Sequence, residues 1–294
     1  MNAPTKLVTV LAVCAVSAGA LSAESADRDW QYEDRATEQR TFDLSGGSGS
    51  PKVLVDNLFG YIHVTAAPGR QVHVTVQKKA VGRSPEAIAD SKREVKLDMS
   101  QQGNFVRLYE DGPFRSHDGG TNYRGEDYYG YRVYYDFDVQ VPPETELTLK
   151  SMNGGTIEVK GTTGDYDING FNGGIDLEDI AGSGHVRTFN GKLKVVYAKN
   201  PARDTDFKTF NGTMDVYFQP PLNADLSMKT FNGGVYADFD VTPLPIQTSS
   251  SGGGHIIYSS RDRNRTSQAR AGTGGPKLSF EGFNGAIRLH TKGL

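Results

Sequence analysis

The chain has one cysteine and one tryptophan in 294 residues. The cysteine, Cys14, lies inside the first apolar run, so removal of that run leaves no thiol for a disulfide, a soft-metal site or nucleophilic attack. Positive charge is not in excess either: 32 Lys and Arg stand against 35 Asp and Glu, for a formal charge of −3. That balance argues against nucleic acid as a partner, since such binding rests on phosphate neutralisation. Catalytic signatures are missing as well. There is no Gly-x-Ser-x-Gly elbow, no His-Glu-x-x-His and no phosphate-cradling Gly-x-x-x-x-Gly-Lys. His63, His73, His117, His185, His255 and His290 are scattered, and no two stand four residues apart. The one long apolar run covers residues 7–16, too short to span a bilayer.

What is present begins with Lys6, that apolar run, and the small residues Ala18-Gly19-Ala20. This order predicts a secretory signal peptide over residues 1–23, cut after Ala20 or Ala23. Leu11-Ala12-Val13-Cys14 offers a rival lipoprotein signal, disfavoured because Val13 is bulky where a small residue belongs. The expected location is therefore outside the cytoplasm, in the periplasm or at the cell surface, with no transmembrane segment after signal removal. Residues 24–50 are read as a polar N-terminal arm ending in a Gly/Ser linker, and residues 51–294 as one β domain.

Within that domain, Val53 and Val55, Ile62 and Val64, and Val72, Val74 and Val76 alternate with polar residues, the period of half-buried strands. Ser84 as cap, Pro85 at the first position and good helix formers up to Glu94 predict one short helix over 85–94. A Tyr/Gly-rich loop is expected over 111–129 and an Arg-rich loop over 259–277.

Beyond Pro143 a unit recurs about every 20 residues, centred on Asn153, Asn172, Asn190, Asn211, Asn232 and Asn284, each followed by glycine; a degenerate copy stands at Ser250-Ser251-Gly252. Four residues before each Asn is an apolar residue and two before it a small one. Three and five residues after it come further apolar residues, for example Ile175 and Leu177, then Leu193 and Val195; the first copy departs, with Ile157 and Val159 shifted by one, which reads as a bulge or altered entry turn. Asn-Gly thus reads as a turn, with both residues able to adopt positive φ. Antiparallel hairpins and a β-solenoid both satisfy the pattern. The near-constant interval favours an all-β, β-helix-like solenoid of about seven stacked units. Phe171, Phe189, Phe210, Phe231 and Phe283, one before each Asn, would then form a ladder; an exposed binding face and interior packing are the two readings, and interior packing is expected.

The order of these elements resembles an adhesin-like family of exported bacterial β-repeat proteins, related to the head domain of auto-transporter adhesins and lacking an assigned function. The stretches that carry the resemblance are Arg40 to Leu44 with the glycine linker, Val53 to Val64, the helix near Pro85, the run from Phe137 to Pro143, and the Asn-Gly series. The family more often has Ser-Gly-Asp where this chain has Phe-Asn-Gly, so the series here is bulkier and more aromatic. The resemblance implies a non-enzymatic structural or adhesive role outside the cytoplasm.

Three candidate sites follow from residue type. Asp165, Asp167, Asn169 and Asp176 superficially match the oxygen spacing of a calcium loop, on strand-like flanks that equally suit a solvated strand face. Tyr123, Tyr128 and Tyr129 offer flat area with polar tips for a glycan, an envelope component or a protein surface. Asp176 and Glu178 would be an outward carboxylate pair for the alternative reading, a polysaccharide-active hydrolase or lyase. A further alternative is a self-assembling envelope scaffold, because the last unit runs almost to Leu294 with little to cover its edge.

Overall fold

A computed structural model of the chain describes residues 30–44, 49–116, 120–245 and 266–293. The expected signal peptide, the degenerate unit at 250–252 and Arg261, Arg263 and Arg265 lie outside the described residues. The fold is all-β. Its first half holds β1 (Tyr32–Asp43), β2 (Lys52–Phe59), β3 (Ile62–Ala66), β4 (Gln71–Gly82), α1 (Pro85–Glu94), β5 (Lys96–Gln102), β6 (Phe105–Asp111), the single-turn α2 (Glu126–Tyr129) and β7 (Tyr131–Val141). The Asn-Gly series then gives β8 (Glu146–Asn153), β9 (Ile157–Lys160), β10 (Tyr166–Asn172), β11 (Ile175–Ile180), β12 (Gly184–Asn190), β13 (Leu193–Tyr197), β14 (Thr205–Asn211), β15 (Met214–Phe218), β16 (Ala224–Asn232) and β17 (Val235–Ala237). The last elements are β18 (Val241–Pro243), β19 (Ser267–Ala271), β20 (Lys277–Asn284) and β21 (Ile287–Thr291).

These strands form two large mixed sheets. The first has the order β1-β4-β7-β3-β9-β11-β13-β15-β21-β17, the second β18-β19-β16-β20-β14-β12-β10-β8-β2-β6-β5. Every Asn-Gly unit gives one strand to each sheet, and its strands pair in parallel with those of neighbouring units. The two strands flanking an Asn-Gly therefore never pair with each other, which eliminates the hairpin reading. Inward residues of both sheets form one apolar core. α1 forms as its sequence predicts, with the Ser84 hydroxyl accepting from the Ala87 N–H at 3.2 Å.

The turns work differently from the expectation. None of the six asparagines has positive φ; each is the last residue of its strand, while Gly154, Gly212 and Gly285 carry the positive φ. The asparagines instead bond to one another across the second sheet, Asn172 Nδ2 to Asn153 Oδ1 at 2.8 Å, Asn190 to Asn172 at 2.8 Å, Asn211 to Asn190 at 2.7 Å, Asn284 to Asn211 at 2.7 Å and Asn232 to Asn284 at 2.9 Å. Glycine is needed next to them because units approach closely there: a Cβ on Gly212 would stand 2.0 Å from the Gly191 carbonyl oxygen, and one on Gly285 2.0 Å from that of Gly212.

Three further differences concern what surrounds the series. Residues expected in a polar arm instead form β1, a 12-residue strand on β4 along its whole length. Its charged side chains suit an outer strand, whose free edge must resist pairing with other chains. β2 and β3 prove to be an earlier unit of the same kind: Phe59 aligns with Asn153, and Ile62 with Ile157. Finally, the last unit in sequence is not the last in space. β20 and β21 lie between β14/β15 and β16/β17, so its edges are covered on both sides.

Burial isolates one acid beneath this framework. Glu110, fully buried, accepts from the Leu58 N–H at 2.6 Å, and desolvation pushes its carboxyl up to about 8 despite that bond and the nearby Arg115. The folded protein thus holds the proton to higher pH than the unfolded chain, so this contribution to stability is complete below about pH 4.5 and is lost as pH rises through about 8. Glu110→Gln, which keeps the acceptor for Leu58, is expected to flatten the decline in melting temperature across that window. In the ladder, Asn190→Ala removes amide bonds to both neighbours and is expected to cost about 1–3 kcal/mol in urea unfolding.

Candidate functional site

Pleating decides which side chains of a unit reach solvent. Residues two and four before each asparagine face the core, as with Thr188 and Val186, or Thr209 and Phe207. The phenylalanine one before it must then point outward. Phe171, Phe189, Phe210, Phe283 and Phe231 are 45, 39, 37, 37 and 46% exposed. This overturns the expectation of interior packing. Five of the ten large exposed apolar residues among those described fall on this one line.

The rings stack face to face in the spatial order of the units. Centroid separations are 4.9 Å for Phe171–Phe189, 4.7 Å for Phe189–Phe210, 4.5 Å for Phe210–Phe283 and 4.8 Å for Phe283–Phe231, with planes within 8° of parallel. Each inner ring spends both faces on its neighbours and shows its edge to water. The outer two, Phe171 and Phe231, each keep a face outside this stack, which accounts for their greater exposure. With strands about 4.8 Å apart, the ridge runs roughly 19 Å.

Two residues nearer the strand start lies a parallel row on the same outer face: Lys150, Asn169, Arg187, Lys208, Glu281 and Lys229. Arg187 reaches Asp206 at 3.2 Å and Lys208 reaches Glu281 at 3.0 Å, both pairs well exposed and so weakly stabilising. An aromatic ridge flanked by a mostly cationic row is the most distinctive chemical feature of the described surface. At its Phe171 end lies a cavity of about 280 Å³, lined in part by Lys150, Met152, Asn169, Phe171 and Arg115.

The residues singled out for calcium are not brought together. Asp167 and Asn169 stand on β10, where the Asn169 amide donates to Asp167 at 2.9 Å. Asp165 accepts from the Ser183 N–H at 3.0 Å and pairs with Arg203, whereas Asp176 lies on β11 in the other sheet and pairs with Lys194 at 3.3 Å. Among the described residues no cluster of three His, Cys, Asp or Glu side chains suits a metal ion. The tyrosines divide. Tyr123 and Tyr129 are half-buried and stacked at 5.5 Å, Tyr123 also meeting Phe59 at 5.1 Å, while Tyr128 on α2 is exposed. Of the outward carboxylates, Glu178 is bonded by Lys160 at 2.9 Å, and Asp176 by Lys194.

Sequence reasoning missed a cluster on the outer face of the first sheet. His290 lies between Asp215, 3.4 Å from Nε2, and Asp238, 3.3 Å from Nδ1, and stacks on Tyr217 at 4.4 Å. Lys192 and Arg288 approach Asp215 at 3.4 and 3.5 Å. The members come from four units, so only their shared register could have revealed them.

No protein-family profile and no curated protein sequence matches the chain. Several solved structures do. A candidate cell adhesion protein from Clostridium sporogenes covers 88% of this chain and 100% of its own at 12% identity, with a TM-score of 0.39. A candidate adhesin from Bacteroides fragilis covers 87% and 96% at 11% identity and 0.39, and a candidate lipid-binding protein from Parabacteroides distasonis 88% and 95% at 10% and 0.27. These similarities assign no residue of the site. No helix of the described residues is long and apolar enough to cross a membrane.

Neighbouring phenylalanines on β14 separate packing from presentation. Phe207→Ala empties a core position and is expected to cost about 3–5 kcal/mol. Phe210→Ala removes only stacking and partial cover and is expected to cost about 1 kcal/mol. Equal losses in parallel denaturation curves would contradict the assigned faces.

Proposed function

We propose that the chain is an exported, non-enzymatic, adhesin-like protein whose units stack as a β-solenoid and present the phenylalanine ridge as its contact surface. The observation that carries this reading is the ridge itself. Five aromatic rings left 37–46% exposed on one line forgo part of the roughly 1.5–3 kcal/mol that burying each fully would contribute. Stacking returns some of this, and a partner that covers the line would recover the rest. Backbone pairing, on both sides for four rings and on the β20 side for Phe231, holds them in place, so a partner meets a surface already ordered and the entropic cost of binding is reduced. The cationic row beside the ridge favours partners that combine apolar area with negative charge, as envelope components and acidic glycans do.

The enzyme reading lacks comparable support. Asp176 and Glu178 each face a lysine on an open sheet surface, without a described cleft to hold a substrate between them. Tyr128 remains a secondary contact candidate because of its exposure.

A triple variant, Phe189→Ser with Phe210→Ser and Phe283→Ser, tests the proposal. Purified protein is passed over phenyl-derivatised beads, immobilised acidic glycans and bacterial envelope fragments. Retention of the parent on at least one surface, reduced about tenfold or more in the variant while the fold is kept, is the expected result; a tenfold loss corresponds to about 1.4 kcal/mol. Undiminished retention of the variant, or no retention of the parent anywhere, would sink the reading.

A further inference from the structure

We infer that the slot between β14/β15 and β16/β17, filled in one chain by its own C-terminal segment, also accepts that segment from a second copy, so that copies join by exchanging their last unit. This does not depend on what the phenylalanine ridge binds.

The basis is the order of units. Along the sequence the asparagines run 153, 172, 190, 211, 232, 284, but across the sheet they run 153, 172, 190, 211, 284, 232. Residues 266–293 thus dock around a strand made before them: β19 pairs antiparallel with one edge of β16, and β20 pairs in parallel with the other. β16/β17 consequently has no described pairing with β14/β15, and the C-terminal segment joins the two.

Side chains favour this order: Arg187 already stands beside Lys208 across β12 and β14, and direct pairing of β16 would add a third cation in line. In the outer row Glu281 stands between Lys208, 3.0 Å away, and Lys229, 4.0 Å away. Were β16 to pair directly with β14, the shared register would place Lys208 beside Lys229, and opposed like charges destabilise a strand pair. Inside, Phe280 stacks on Phe207 at 5.0 Å and meets Phe218 edge-on at 6.5 Å, so the slot is shaped for an aromatic residue. On the first sheet Arg288 faces Asp215. The slot therefore selects a strand with Phe, Glu and Arg at these places, and a second copy supplies the same strand.

An exchanged pair contains the same contacts as two separate chains, so contact energy cancels and the balance rests on chain entropy. The stretch from Leu244 to Thr266 spans 22 residue steps, a reach of up to about 75 Å, ample for a neighbouring molecule. Because leaving the slot breaks strand pairing on both sides, exchange belongs to folding and not to the finished molecule.

The test uses the full chain with Cys14→Ser and short thiol cross-linking. Asp206→Cys and Ser279→Cys are opposed across β14 and β20 and leave Lys208, Glu281 and Lys229 in place. The double variant should close within one chain. The two single variants are then unfolded, mixed in equal amounts and refolded together, and bridged peptides are mapped by mass spectrometry. A tethered segment competes at an effective concentration on the order of 1 mM, so exchange is expected in roughly a third of molecules refolded at about 0.5 mM in total; half of it joins unlike variants, giving 206–279 bridges between chains in roughly a sixth of molecules, and in under about 1% at about 0.005 mM. Absence of such bridges at every concentration, while the double variant closes normally, overturns the inference. Failure of the double variant to close would overturn the placement of β20 and the inference with it.

Discussion

The fold depends on the approach of one unit's glycine to its neighbour's backbone. Gly212 has no room for a Cβ beside the Gly191 carbonyl, and its N–H donates to the Asn284 carbonyl at 2.9 Å. That hydrogen bond continues the sheet pairing through the turn. Because the turn is paired, the asparagine before it is fixed in extended backbone, and its amide falls directly over the next amide. Between the ends of the row each Nδ2 donates to one adjacent unit and each Oδ1 accepts from the other, so the bonds reinforce one another along the stack. A slip of one residue would turn a strand's core face to water. A slip of two would keep that face inward but misplace the unit's glycine and break its amide pairs with its neighbours.

The exposed ridge follows from this fixed register. Once asparagine is held at the strand end, the pleat sends the second and fourth residues before it inward and the first and third outward. Threonine serves the inward position nearest the turn because its hydroxyl can donate to a turn carbonyl, as Thr188 does to Gly173 at 2.9 Å. Phenylalanine on the outward side stacks on its own copies in neighbouring units. The same geometry produces an interior counterpart, where Phe207 and Phe280 stack in the core. Two aromatic lines of similar spacing thus lie on opposite faces of one sheet, and their roles differ because only one is sealed from water.

Much of this was legible in the amino-acid order. Alternation located the strands, Ser84 and Pro85 located the helix, and the Asn-Gly spacing located every turn from Asn153 to Asn232. The outward direction of Phe189 was legible too, since it stands at an odd offset from core residues at even offsets; the general reluctance of aromatics to face water outweighed that parity. The strand at Tyr32–Asp43 was hidden because an edge strand can be mostly charged and still satisfy its backbone. The role of asparagine was hidden for a different reason. Positive φ is a property of one residue, whereas an amide ladder is a property of the stack, and local turn chemistry cannot distinguish them.

The order of units was the least accessible feature, because nothing local to residues 277–291 says which neighbours they will have. The information is nevertheless present once register is known. Aligned on their asparagines, the outer rows read Lys150, Asn169, Arg187, Lys208 and Lys229, and only the last unit in sequence offers an acid, Glu281. Placed at the end of the stack, that glutamate would meet one lysine and leave two lysines opposed; placed between them, it meets both. Each exposed pair contributes little by itself. The difference between orders is larger than either pair, since it also includes relief of a like-charge contact and the aromatic stack of Phe280 on Phe207. A sequence of near-identical units can in this way specify a permuted order through the few positions at which the units differ.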